Sequence, residues 1–210
     1  MNRRQLLGAV GGGASISVCG FLKTMSSNDE EVAYPKVSVH GDTTDPERNV
    51  ALSVEVIQQF SRESPAEIQV AFTNTAESAR EFYFGSTPPF SEYLSTERND
   101  GTQLVAIPRN RSHISLGDVN DATGESSENQ EIVPERPLDG CWRLHGDLAV
   151  WGFANQKTVK PGETLQEKFT VLDYSDNTTC LPGGEYRFVS PNYFGQNNPW
   201  GFTVELTYSE

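Results

Sequence analysis

A chain of 210 residues with 29 Asp+Glu against 16 Lys+Arg, and so a formal net charge of -13, is long enough for one domain with chain to spare. The acid excess excludes ordinary nucleic-acid binding, which needs a basic face toward phosphate. An aromatic content of 10% excludes wholesale disorder, and no unbroken run of about 18 apolar residues offers a membrane-spanning helix.

The chain opens Arg3-Arg4-Gln5-Leu6-Leu7 and continues, apolar, Gly-rich and uncharged, to Val18. Gly8 and Gly11 to Gly13 would each cost a helix interior about 1 kcal/mol, which disfavours a buried N-terminal helix. The paired arginines, one variable residue and two leucines resemble a twin-arginine export signal, which implies export of an already folded chain. Ile16-Ser17-Val18 before Cys19 resembles a lipobox, in which the cysteine becomes the lipidated first residue of the mature chain. Residues 1–19 are thus expected to be a signal segment, with Arg3 and Arg4 directing export and Cys19 carrying lipid. Membrane contact is then confined to that lipid or leader. Five Lys against eleven Arg, beside nineteen Glu, resemble the usage of extreme halophiles, so that the chain as a whole resembles an exported haloarchaeal-type lipoprotein. At molar salt a Debye length of about 3 Å screens such a surface.

Residues 20–48 are rich in Ser, Asn, Asp, Glu, Thr and Pro, and are expected to be a disordered acidic tether to a domain over 49–210. Val50, Leu52, Val54 and Val56 then alternate with Ala51, Ser53 and Glu55 as in a half-buried strand. After the Ser61–Pro65 turn, Ala66, Ile68, Val70 and Phe72 make a second, and the two read as a hairpin or meander. Arg80–Gly85 gives a third strand with Phe82 and Phe84 inward, and Gln103–Ile107 a fourth. An acidic insertion loop is expected near 117–140, where seven acids face Arg136 alone. Cys141–Leu144, Leu148–Trp151, Thr164–Leu172, Tyr186–Val189 and Phe202–Tyr208 complete the strands. Glu167 falls on the apolar face of its segment with Leu165, Phe169 and Val171, which predicts either an edge strand or a bulge.

Seven to nine short strands without an amphipathic helix predict an all-β antiparallel sandwich. Leu181-Pro182-Gly183-Gly184-Glu185-Tyr186 resembles the tyrosine corner of immunoglobulin-like and fibronectin-like sandwiches, which implies that fold and a Tyr186 hydroxyl bonded back to the turn. Exported proteinase-inhibitor-like sandwiches share this late pattern. Cys141 and Cys180, an even pair beyond the leader of an exported chain, are expected to form a disulfide.

His40, His113 and His145 lie apart, with His113 in a polar loop. Met1 and Met25, the only methionines, leave His145 without the axial ligand of a blue-copper site. Asp118, Asn120 and Asp121 lack the third ligand and closing glutamate of an EF-hand loop. No metal or other cofactor is expected. Nucleophile elbow, HExxH, P-loop and GxGxxG motifs are all absent, so no enzymatic activity is expected. Asn110-Arg111-Ser112 and Asn177-Thr178-Thr179 are glycosylation sequons in stretches that read as polar loops. The last feature is a loop carrying Tyr193, Phe194, Asn197, Asn198 and Trp200. Its aromatics either cap the sandwich or form an exposed patch on which amides and rings hold a glycan or an extended peptide. The expected function is a cell-surface anchored or secreted binding module with a cell-envelope protein or glycan as partner. A proteinase-inhibitor-like domain and a carboxylate-dependent hydrolase are the alternatives.

Overall fold

The computed structural model describes residues 33–117 and 131–209. The strands are β1 (Lys36–Gly41), β2 (Val50–Gln58), β3 (Ala66–Asn74), β4 (Arg80–Phe84), β5 (Leu104–Pro108) and β6 (Ile114–Gly117). They continue with β7 (Asp147–Val150), β8 (Asn155–Val159), β9 (Thr164–Asp173), β10 (Gly184–Ser190) and β11 (Trp200–Thr207). One sheet has the order β1-β11-β10 and a second β2-β3-β9-β5, while β4-β8 and β6-β7 form two small ribbons. Every pairing within these four sheets is antiparallel. The all-β sandwich read from the sequence is therefore the fold, with eleven strands among the described residues where seven to nine were expected.

The core lies between the two larger sheets. Ile68, Val70, Phe169, Val171 and Leu104 from one, and Val37, Tyr186, Phe188, Phe202 and Val204 from the other, belong to a single buried cluster. Period-two patterning explains the hairpin: alternate residues of β3 from Ala66 to Asn74 are buried, and β2 pairs with it in the register Val54↔Val70. The tyrosine corner is formed as expected, since the buried Tyr186 hydroxyl donates to the Pro182 carbonyl at 2.6 Å. Gly184 serves it directly. At φ +134 any side chain would strain the backbone, and a Cβ would displace the Arg98 guanidinium, 2.8 Å away, which lies over the Tyr186 ring at 4.8 Å.

Four expectations are corrected here. The tether does not reach residue 48: β1 lies inside it, paired with β11 from Lys36↔Thr207 to Gly41↔Phe202, and a 3-10 turn at Pro46–Arg48 follows. Six residues with two inward-facing valines carry almost no local signal, and the strand exists because Val37 is buried against the core. The expected strand at Cys141–Leu144 is instead a run held by isolated bridges at Cys141 and Arg143, whereas β6 and β8 are strands the pattern did not announce. Glu167 marks no bulge and β9 is not an edge strand, although at Glu167 one side of it is open. Strand β9 sits between β3 and β5, and β5 pairs only with Phe169–Asp173, so Glu167 lies just beyond its reach. There its carboxylate accepts from the Arg109 and Asn110 N–H groups at 2.8 and 3.1 Å and closes the loop after β5. Part of the acidic segment is also ordered, with Ile132 buried and Leu138 bridged to Cys141.

Candidate functional site

Alternation along β4 places Arg80, Phe82 and Phe84 on one face, opposite Glu81 and Tyr83. Phe84 is buried and Phe82 half-buried, and both meet the edge of Phe72 from β3, with ring centroids 5.2 and 4.7 Å away. Val50 and Val159 complete this small second core. Above it, the connection from β10 to β11 folds on itself: the Phe194 N–H donates to the Asn198 carbonyl, that of Gly195 to Asn192, and that of Asn198 to Gly195. Between this loop, the β4 face and the turn before β2 lies a cleft of about 420 Å³, bordered by Arg48, Val50, Arg80, Phe82, Tyr193 and Phe194.

Both guanidiniums in the cleft are braced. Arg48 lies over the Phe194 ring at 4.4 Å and donates from Nη2 to Asn198 Oδ1 at 2.8 Å. Arg80 lies over Phe82 at 5.1 Å and donates from Nη1 to the Arg48 carbonyl at 2.6 Å. Among the described residues neither has a carboxylate within ion-pair distance; the three ion pairs are Arg98–Asp100, Arg143–Asp173 and Arg187–Asp42. Two unneutralised cations on aromatic walls stand out in a chain with a net charge of -13.

The five residues expected to form an aromatic and amide site are divided by the structure. Trp200 belongs to β11 and is 1% exposed, its indole Nε1 donating to the Asp42 carbonyl at 3.1 Å. It is a core residue, and the single exposed patch is not formed. At Gly201 a Cβ would lie 2.1 Å from the Phe188 carbonyl oxygen, so glycine is required for β10 and β11 to pair. Tyr193 and Phe194 border the cleft and are half-buried. The Tyr193 hydroxyl donates to the Pro89 carbonyl at 2.7 Å, and burial pushes its phenol above the ordinary range. Asn198 fixes Arg48, while Asn197 takes the left-handed backbone of the turn at φ 59. Sequence reasoning missed Arg48, Arg80 and Phe82 as site residues. The arginine-aromatic alternation of β4 was visible, but Arg48 stood in the supposed tether.

The disulfide is formed as expected, Cys141 to Cys180 with Cα atoms 5.7 Å apart. Beside it Asp173 is fully buried, accepting from Arg143 Nε at 2.7 Å, Asn177 Nδ2 at 2.6 Å and the Leu181 N–H at 3.1 Å. Burial raises its carboxyl above the usual range, against the opposing pull of Asn177 and Arg143. Cys141, Cys180 and Asp173 fall within metal-ligand distance of one another, yet both sulfurs are joined in the disulfide.

Asn177 lies in the loop between β9 and β10 as expected but is not accessible there as a sequon acceptor must be. It is 4% exposed, and its amide is engaged by Asp173 and by both backbone groups of Gln103. Asn110 is exposed, its side-chain Oδ1 accepting from the Ser112 N–H. His113 lies in the connection between β5 and β6 as expected but is buried there, its Nε2 lying 2.6 Å from the Thr87 hydroxyl and 2.8 Å from that of Tyr93. Arg3, Arg4 and Cys19 lie outside the described residues. Compared with protein-family models, characterised proteins and solved structures, the chain matches none.

Proposed function

We propose that this chain is an exported, cell-surface anchored or secreted binding module whose ligand, presented by an envelope protein or glycan, enters the cleft between β4 and the Asn192–Asn198 loop. The observation that carries the reading is the pair of guanidiniums held on Phe82 and Phe194 with no described carboxylate to neutralise them. Packing two arginines against aromatic walls and leaving their heads without a carboxylate partner suits recognition of an anion. The leader resemblance at Arg3-Arg4 and Cys19 supplies the surface location, and the Cys141–Cys180 disulfide is compatible with it.

The test is retention on cell-envelope material at molar salt. Phe194→Ala is expected to abolish retention and leave the thermal midpoint almost unmoved, since that ring is only half-buried. Retention equal to the parent would overturn the reading. Replacing Arg3 and Arg4 by Lys is expected to hold the chain in the cytoplasm, and Cys19→Ser to release it to the medium or leave the leader uncut. Unchanged partitioning and mass for Cys19→Ser would remove the lipid from the proposal.

A further inference from the structure

We infer that the cleft selects a small organic carboxylate with an apolar body, the carboxylate lying between Arg48 and Arg80 and the body against the aromatic walls. This rests on the binding reading above and names the chemistry of its ligand. A guanidinium carries five N–H donors. Among the described residues Arg48 directs one donor group to Asn198 and Arg80 one to the Arg48 carbonyl, which leaves each with donors to spare. Ring stacking and that one bond fix each fork before ligand arrives, so little side-chain freedom is lost on binding. Charge-assisted bonds from two such forks hold a planar carboxylate more strongly than any neutral group.

Charge decides against a long polyanion. A chain of net charge -13 repels an extended acidic polymer, and the attraction is confined to one spot at whose border the exposed Glu81 is the single acid against Arg48 and Arg80. Volume agrees: about 420 Å³ lies toward the small end of ligand pockets, which run from about 300 to 1,000 Å³. The apolar walls in turn favour a ligand with a ring or short chain over a bare inorganic anion.

Saturation-transfer NMR at molar KCl with hydrocinnamate, hydrocinnamide and inorganic phosphate tests this. Hydrocinnamate is expected to bind at least about tenfold tighter than the isosteric amide, with phosphate displacing it only weakly. Arg48→Gln and Arg80→Gln should each remove the preference for acid over amide. Should Arg80→Gln lower the thermal midpoint, Arg80→Lys keeps the charge without the fork and is expected to weaken the preference in a folded protein. Equal binding of acid and amide, no binding of either, or phosphate matching the acid would overturn the inference. So would arginine variants that leave the preference intact. Loss of envelope retention in Phe194→Ala together with any of these results would leave the cleft a binding site for another chemistry. Retention equal to the parent would remove the binding reading itself.

Discussion

Trp200 and Phe194 lie six positions apart, and only their surroundings assign them different work. Trp200 packs among Phe90, Tyr193 and Phe202, with ring centroids 5.6, 5.5 and 6.2 Å away, so Trp200→Ala is expected to cost about 3 to 5 kcal/mol in denaturant unfolding. A loss under about 1 kcal/mol would contradict its place in the core. That distinction was not legible beforehand, because Asn197-Asn198-Pro199 marks a turn and gives no sign that the next residue begins a strand. His113 shows the same limit, since a histidine between Ser112 and Ile114 carries no mark of burial. Desolvation lowers its imidazole below 6.5, with Glu167 pulling weakly the other way. The sign follows: the fold holds the ring neutral, while the unfolded chain takes up a proton near 6.5. Stability due to His113 is full above that pH and is lost as the pH falls through its depressed folded value. Unfolding free energies between neutral and mildly acidic pH should therefore drop further in the parent than in His113→Gln, and parallel curves would refute this.

At the level of elements, patterning succeeded where a strand buries one face by itself. Strands β2, β3, β5 and β9 were read because β-branched and aromatic residues alternate over several positions or run apolar throughout, as in Leu104–Ile107. It failed at β1, β6 and β8, whose four to six residues become strands through a partner far away in sequence. The tyrosine corner was legible because Pro-Gly-Gly followed by Tyr encodes its own geometry. The cleft was not, because it joins Arg48, Arg80 and Phe194 from three separate segments. The disulfide joins residues 39 positions apart and closes a loop that contains β7 to β9. Replacing Cys141 and Cys180 together by Ser is expected to cost about 4 kcal/mol of unfolding free energy, against a total of about 5 to 15. A double variant as stable as the parent would show that the buried Asp173 network suffices there.

Over the whole molecule, three ion pairs among the described residues leave most carboxylates without a cationic partner. Screening must do what pairing does not, so the thermal midpoint is expected to rise from dilute buffer to molar KCl. A flat or falling midpoint would argue for a surface indifferent to salt. The sheet order also sets a timetable. Strand β11 lies between β1 and β10, so residues 36–41, the first strand in sequence, and residues 184–190 both hydrogen-bond to residues 200–207. On the ribosome, β1 emerges early and has no sheet neighbour until nearly the whole domain has been made. Any nascent chain short of β11 presents two open edges and half a core, whereas the finished one closes in a single late step. Folding of this domain therefore belongs after translation, in whichever compartment the completed chain first becomes free.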